Sequence, residues 1–294
     1  MASQRNLIFT LIIATFAVSW ASILIKLSGA EALPTAFYRM ALASAILAIP
    51  AVPRLIKIFP KLTGQQLILL FLSGLALGLH FATWVTSLFY TTISNSVILV
   101  ATQPVFLMIM ETILLKEKIV GKAILGMLMA LCGMIIITGG DISLGAEHLR
   151  GDLLALAGAF FAGIYLLIGR KLRVDLNNLE YIFIVYSIAA LFLLIISLSY
   201  NENITDYPAR TWIFFLLLAL IPTVVGHSLY NWLLKYIPAY RVATVILGEP
   251  IGATILAIFF FYQIPGWWTM IGGVMILLGI YIVLRQSGKT KPGG

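Results

Sequence analysis

The chain has 294 residues, of which 61% are apolar and only 10% are charged, and its mean hydropathy is +1.05. Soluble domains contain about 45 to 50% apolar and about 25% charged residues. The composition therefore excludes a soluble globular domain and predicts an integral membrane protein. The single cysteine, Cys132, excludes a disulfide framework and a cysteine-based metal site.

Ten apolar segments follow one another along the chain. They cover residues 7–26, 33–52, 67–88, 93–115, 119–138, 153–168, 179–199, 212–234, 239–262 and 267–284. Ten spans leave about 29 residues for each, and a helix that crosses a bilayer uses about 20 of them, so no extramembrane domain is expected. Arg5 precedes the first segment, as in a signal peptide. Its apolar run of about 20 residues exceeds the core of a signal peptide, and we interpret it as a membrane span.

The basic residues are distributed unequally between the two sides of the membrane. Of the 19 Lys and Arg residues, 15 fall on the side of the termini, three fall on the other side, and Arg39 lies within a span. Cationic loops are retained in the cytoplasm, so both termini are expected there, in the cytoplasmic membrane of a bacterium or archaeon. Topology accounts for the net charge of +8, and no nucleic-acid partner is predicted.

The two halves of the chain match at a constant shift of 146 residues. The matched pairs include Leu33 and Leu179, Phe37 and Phe183, Tyr90 and Tyr236, Pro104 and Pro250, Gly126 and Gly272, and Gly133 and Gly279. Such a register indicates duplication, with residues 1–140 as the first five-helix repeat and 141–294 as the second, which ends in a short cytoplasmic tail. Because five is odd, the repeats are inverted. We predict an all-α integral membrane protein of ten transmembrane helices, with a solute site between the repeats near the midplane.

Several residues occur in an order that is typical of one family. They are Trp20 and Lys26 in the first span, Arg39 early in the second, Pro104 followed thirteen residues later by Glu117, the Glu249-Pro250 pair, and Gly126 and Gly272. Over nearly the whole chain this set resembles the drug/metabolite transporter superfamily, EamA-type branch. The resemblance implies a ten-helix bundle around a central cavity, with the fifth and tenth helices peripheral, that exports or exchanges amino acids and related small metabolites. Two positions depart from the family pattern, Gln263 in place of an acidic residue and Tyr165 in place of a frequent Trp.

Paired prolines mark two polar positions at equivalent depth. Glu249 lies about ten residues into the ninth span, or roughly 15 Å from its start. Pro250 has no amide hydrogen and leaves a carbonyl one turn earlier without its donor, as Pro104 does beside Gln103. We predict that Glu249 and Gln103 contribute to the solute site. The alternative for Glu249 is a structural carboxylate.

Arg39 lies about six residues into the second span, roughly 9 Å deep. Its guanidinium is suited to bind a carboxylate group of a solute in a two-pronged way. The favoured alternative is a structural lock that joins its helix to a neighbour.

Aromatic and polar side chains recur at helical spacing in the third, fourth and eighth spans. The i to i+4 spacing places His80 beside Trp84, and His227 beside Asn231, on one face of each helix. The set that we predict to line the site is completed by Tyr230, by Asn95 on the face of Gln103, and by Trp20 and Tyr165, which open the two repeats at matching places. Donors, acceptors and aromatic planes together suit an amphipathic organic solute. The alternative is that these side chains merely pack the bundle.

No Gly-x-x-x-x-Gly-Lys signature occurs, so ATP is not expected to be the direct energy source, and no catalytic residue, metal or cofactor is predicted. The sequence favours a secondary transporter that works by alternating access in a lipid bilayer. Protons are a candidate coupling ion, through Glu249 or a histidine. A passive facilitator or channel and an intramembrane enzyme are the alternative functions, and both a monomer and a homodimer remain open.

Overall fold

The computed structural model of the protein describes residues 4–115, 121–142, 145–236, 239–246 and 248–287. These residues form fourteen α-helices: α1 (Gln4–Ser19), α2 (Ala21–Ser28), α3 (Ala32–Ile58), α4 (Gly64–Ser87), α5 (Ile93–Val100), α6 (Gln103–Leu115), α7 (Gly121–Ile142), α8 (Ala146–Leu172), α9 (Asn178–Ser199), α10 (Ala209–Leu218), α11 (Ser228–Leu233), α12 (Ala239–Ile246), α13 (Gly248–Phe261) and α14 (Trp267–Ser287). A 3₁₀ turn, Phe59–Lys61, follows α3, and a π-helical segment, Ala219–His227, joins α10 to α11.

The helices confirm the ten predicted spans. Six continuous helical stretches are long and apolar enough to cross a bilayer, and shorter apolar helices account for the fourth, fifth, ninth and tenth spans. The sixth span, predicted at 153–168, is longer at both ends, because α8 covers Ala146–Leu172. Its additional turns carry charged residues such as Glu147 and Lys171, which hydropathy assigns to the loops.

The fourth span is interrupted in its middle. The helix α5 ends at Val100 and α6 begins at Gln103, with a turn at residues 101–102 between them. Proline removes one amide donor from the helical ladder, so an interruption beside Pro104 is expected. In the ninth span, Glu249 and Pro250 lie in the first turn of α13.

The bundle has two ends, the base and the top. The base carries the connection between α3 and α4 (59–63), and the top carries the connections between α2 and α3 (29–31) and between α9 and α10 (200–208). At the top, the side chain of Gln263 accepts a hydrogen bond from the backbone N–H of Ile93, 3.2 Å away. Gln263, a departure from the family pattern, therefore satisfies a free amide at the beginning of α5.

The helix contacts follow the internal repeat. The helix α4 packs against α8, and α1 packs against the π-helical segment Ala219–His227. These two contacts are equivalent. The first joins the third span to the sixth, the second joins the eighth span to the first, and the repeat matches the third span with the eighth and the sixth with the first. The helices α3 and α9 form a pair of corresponding helices, as do α7 and α14. The two repeats are thus related by a pseudo-twofold axis.

The pair α7 and α14 shows the inversion directly. A Cβ atom at Gly133 would lie 2.5 Å from the carbonyl oxygen of Gly272, and one at Gly279 would lie 2.5 Å from that of Gly126. The residue number rises along α7 as it falls along α14, so the two helices are antiparallel. The shift of 146 residues converts one of these contacts into the other. Lipid provides little apolar driving force for helix association, and small residues allow the close backbone approach that replaces it.

We expect that Gly133→Ala destabilises the protein by about 1 to 3 kcal/mol, because the added methyl group overpacks a contact with backbone on its far side. Thermal unfolding in detergent would measure the loss as a lower melting temperature. The matched control is Gly64→Ala, since a Cβ at Gly64 meets nothing within 4 Å. Equal melting temperatures of the two variants would contradict the packing proposed for α7 and α14.

Candidate functional site

A cavity lies between the two repeats, beside Gln103 of the fourth span and Glu249 of the ninth. Its lining consists of Val18, Ala21, His80, Trp84, Val100, Gln103, Ala162, Tyr165, Leu166, His227, Tyr230, Asn231, Ile246 and Glu249. The space between these side chains, including the part that is open to solvent, is about 590 Å³.

Equivalent spans of the two repeats build the cavity. The first, third and fourth spans contribute from one repeat, and the sixth, eighth and ninth from the other. Three pairs in the lining are related by the shift of 146 residues, namely Trp84 and Tyr230, Val100 and Ile246, and Gln103 and Glu249. A further pair, Ala21 and Leu166, is related by a shift of 145. The cavity therefore lies on the pseudo-twofold axis.

His80 and Trp84 form one wall of the cavity on α4. Their rings stack with centroids 5.8 Å apart and planes 6° apart, as the i to i+4 spacing predicts. The Nδ1 atom of His80 lies 2.9 Å from the carbonyl oxygen of Gly158, which can only accept a hydrogen bond. Nδ1 must then carry the hydrogen, and in the neutral ring Nε2 is the acceptor.

The opposite wall is a hydrogen-bonded group from the second repeat. The amide nitrogen of Asn231 donates to the hydroxyl of Tyr165 and to the backbone carbonyl of His227, 2.8 Å away. The hydroxyl of Tyr230 lies 3.0 Å from that of Thr15 on α1. These bonds orient the adjacent side chains of Tyr230 and Asn231, and they connect α11 to both α8 and α1.

Glu249 is the acidic residue in the lining. Within the part of the chain that the structure describes, no Lys or Arg nitrogen forms a direct ion pair with its carboxylate. Arg39 is the cation whose electrostatic influence reaches it. The equivalent position in the first repeat holds the neutral Gln103, so the cavity has a carboxylate on one side of the pseudo-twofold axis.

The structure brings eight of the eleven predicted site residues into this one cavity. They are His80, Trp84, Gln103, Tyr165, His227, Tyr230, Asn231 and Glu249. Trp20, Arg39 and Asn95 are not part of the lining. Sequence reasoning did not identify Val100 and Ile246, although both lie three residues before a predicted polar residue, a spacing that indicates the same face.

The three remaining residues contact other helices. Trp20 packs edge-on against Phe260 of α13, with ring centroids 5.8 Å apart. Asn95 accepts a hydrogen bond from the hydroxyl of Thr269 on α14. The α-helix is interrupted at residues 101–102, between Asn95 and Gln103. Asn95 therefore faces α14, whereas Gln103 faces the cavity. Arg39 is fully buried on α3 and contacts Trp84 from outside the lining.

Hydrogen bonds at the top connect the two repeats. The hydroxyl of Thr211 donates to the carbonyl of Ser28 at 2.7 Å, and that of Tyr207 donates to the carboxylate of Glu31 at 2.6 Å. The hydroxyl of Tyr38 donates to the backbone carbonyl of Ile204. Hydrogen bonds thus hold the connection at 200–208 against the N-terminal part of α3.

A contrasting network occupies the base. The Nε atom of Arg173 donates to the carbonyl of Asn231 at 3.1 Å, and the side-chain amide of Asn178 donates to the carbonyl of Ser228 at 2.9 Å. These bonds remain within the second repeat. Burial lowers the pKa of Arg173, since a charged group loses hydration when it is enclosed by protein. The bonds connect the end of α8 and the beginning of α9 to α11, which lines the cavity.

Comparisons with known proteins agree with this architecture. The EamA-like transporter family matches residues 5–139 and again residues 149–285. An uncharacterized transporter of Archaeoglobus fulgidus is 25% identical over 98% of this chain and 99% of its own. The uncharacterized transporter YetK of Bacillus subtilis is 29% identical over 74% of this chain and 70% of its own. A protein of known crystal structure, 14% identical, shares the fold with a TM-score of 0.70 over 98% of this chain and all of that one.

Glu202 in the connection at the top provides a pH-dependent prediction. Burial, followed by the charge of Glu31, raises the pKa of Glu202 above 4.5, and the backbone N–H of Leu33 opposes that shift. A group with a higher pKa in the folded state binds more protons there, so stability falls as the pH rises from about 4.5 toward neutrality. We expect Glu202→Gln to flatten this decline and to raise the melting temperature at neutral pH.

Melting temperatures of the wild type and the variant between about pH 4 and pH 8 would measure the effect. Asp206→Asn serves as the control, since Asp206 is an exposed carboxylate in the same connection. An unchanged decline with pH in Glu202→Gln would show that the buried carboxylate does not titrate with folding.

Proposed function

Because the chain belongs to the EamA-like transporter family, we propose that it is a secondary transporter that exports or exchanges amino acids or related small metabolites through the central cavity. The observation that carries the proposal is the position of the cavity, which lies between inverted repeats and is lined by equivalent spans of both. In inverted-repeat carriers the solute site occupies this place, and one repeat rocks against the other around it.

The lining supports a solute with polar and apolar parts. Trp84 and the stacked His80 offer an aromatic surface. Asn231 offers its amide oxygen, which has no hydrogen-bond partner among the described residues, and Gln103 and Glu249 offer an amide and a carboxylate. A small metabolite with a cationic group can pair with Glu249 while its side chain lies against the aromatic wall. Amino acids combine these properties in a molecule of suitable size.

Alternating access needs a reversible seal, and the top provides one. The bonds of Thr211 with Ser28 and of Tyr207 with Glu31 join the two repeats there. Each involves a single hydroxyl and is worth on the order of 1 kcal/mol net, so a small number of such bonds can break and reform during a transport cycle. We assign the base to the cytoplasm, with both termini, in the cytoplasmic membrane of the cell, since the cationic residues collect there.

Glu249 is proposed as the coupling group for protons. It is an ionisable side chain in the middle of a membrane protein, faces the cavity, and lacks a direct basic partner among the described residues. Intramembrane carboxylates in such positions commonly belong to ion or proton pathways. Protonation would remove the charge that a cationic solute group needs, which links binding of the two.

We expect purified protein in liposomes to catalyse counterflow of a labelled amino acid from a panel of the twenty. Trp84→Ala and Glu249→Gln should lower the initial rate about tenfold or more, a change that corresponds to ~1.4 kcal/mol. The control is Phe259→Ala, because Phe259 is 73% exposed on the outside of the bundle and lies far from the lining.

Uptake without stimulation by internal solute would indicate a passive facilitator in place of a carrier. Absence of movement for every amino acid would remove the proposed solute class. Counterflow by Glu249→Gln with the same pH dependence as the wild type would remove the proton coupling and leave the transport proposal intact.

A further inference from the structure

Arg39 is a cation enclosed between the two repeats. It lies on α3 with no exposed surface, and its Nε atom donates to the hydroxyl of Thr223 at 2.7 Å. Thr223 belongs to the π-helical segment Ala219–His227 of the second repeat. The guanidinium carbon lies 4.3 Å from the ring centroid of Phe81 and 5.8 Å from that of Trp84. One edge of the guanidinium is therefore fixed to the other repeat, and its face is packed against aromatic rings.

The other edge of the guanidinium is unused. Within the described residues, Nη1 and Nη2 of Arg39 are buried and have no hydrogen-bond acceptor. The same is true of the indole Nε1 of Trp84, which is a neighbour of the guanidinium and also lines the cavity. Buried donors without acceptors carry a desolvation cost, which is larger when the donor is charged. Such a cluster is suited to receive an anion.

Among the described residues, none of the charged or titratable groups around Arg39 accepts a hydrogen bond from Nη1 or Nη2. An anion that binds there would therefore come from a solute. The groups whose electrostatic influence involves Arg39 are His80, His227, Tyr186 and Glu249. The two histidines and the tyrosine are not anions at neutral pH in their ordinary state. Glu249 is the carboxylate among them, and it faces the cavity without accepting a hydrogen bond from the guanidinium.

We propose that Nη1 and Nη2 of Arg39, together with Nε1 of Trp84, form a carboxylate subsite next to the cavity. This inference rests on the proposed transport function and specifies the class of solute, which must carry a carboxylate. The group reaches the guanidinium when the Trp84 side chain, which touches both the cavity and Arg39, moves aside. A guanidinium binds a carboxylate through two parallel hydrogen bonds, and its Nε edge remains on Thr223.

The subsite also orients the solute. The position equivalent to Arg39 in the second repeat is Val185, and that equivalent to Glu249 in the first repeat is Gln103. A solute with one carboxylate and one ammonium group therefore meets a single cationic and a single anionic protein group. Its carboxylate binds beside α3 and its ammonium group points toward Glu249, so that a zwitterion neutralises both buried charges at once.

The test compares carboxylates with matched amides. Melting temperatures of the full chain in detergent are measured with L-phenylalanine, L-leucine and the amide of each, at constant ionic strength. We expect the amino acids to raise the melting temperature of the wild type, as a ligand of the folded state must, and the amides to raise it much less. In Arg39→Gln the amino acids should bind about tenfold or more weakly, as expected for loss of hydrogen bonds to a charged group.

Two further variants complete the design. Trp84→Phe keeps an aromatic ring but removes the Nε1–H donor, so it should weaken binding of the amino acids more than binding of the amides and thereby reduce the preference for amino acids. This variant also tests the subsite if Arg39→Gln does not fold. The matched control is Arg210→Gln, which removes a cation from the exposed beginning of α10 and should retain the preference for amino acids over amides.

Other outcomes would overturn the subsite. If the amides raise the melting temperature of the wild type as much as the amino acids do, solute binding stands but the carboxylate subsite is wrong. If Arg39→Gln or Trp84→Phe retains the full preference for amino acids, Arg39 is only a structural link between the repeats. If neither amino acids nor amides have an effect on the wild type or show counterflow, both the subsite and the proposed solute class are wrong.

Discussion

The constraint on which this structure depends is that a polar group within a bilayer has no partner in the lipid. Backbone amides and carbonyls must be satisfied inside helices, and ionisable side chains must face other protein groups or a wet cavity. Two inverted copies of a five-helix unit meet this constraint by enclosing their polar residues between them. The cavity lies at the pseudo-twofold axis, where equivalent spans of both copies converge.

Symmetry builds the cavity, and departures from symmetry determine its chemistry. The pair of Gln103 and Glu249 places a charge on one side, and the pair of Arg39 and Val185 places the opposite charge on the other. The π-helical segment Ala219–His227 has no counterpart in α4 of the first repeat, and it supplies the hydroxyl that holds Arg39. Segments of π-helix frequently occur at functional sites, and this one connects the cation to the helix that carries His227.

The outer helices pack against each other, and the inner helices line the cavity. The helices α7 and α14 meet through facing glycines, and none of their described side chains belongs to the lining. Glycines on α4 are used differently, since Gly74 and Gly78 lie against Ile188 and Phe192 of α9. Close contacts at glycines therefore hold each repeat to the other around the cavity, while the cavity itself is lined by larger and more polar side chains.

The sequence alone determined the membrane class, the ten spans, and the duplication and its inversion, because apolar run length and internal register are local or periodic properties of the chain. It also predicted that His80 and Trp84 share a face, which needs only helical geometry. Only the tertiary structure decided that Asn95 pairs with Thr269 and that Arg39 donates to Thr223, a residue 184 positions away. In a membrane protein the surfaces that face lipid and those that face other helices are both apolar, so hydropathy does not encode how each helix is rotated, and the partners of a buried polar side chain emerge only when the helices pack.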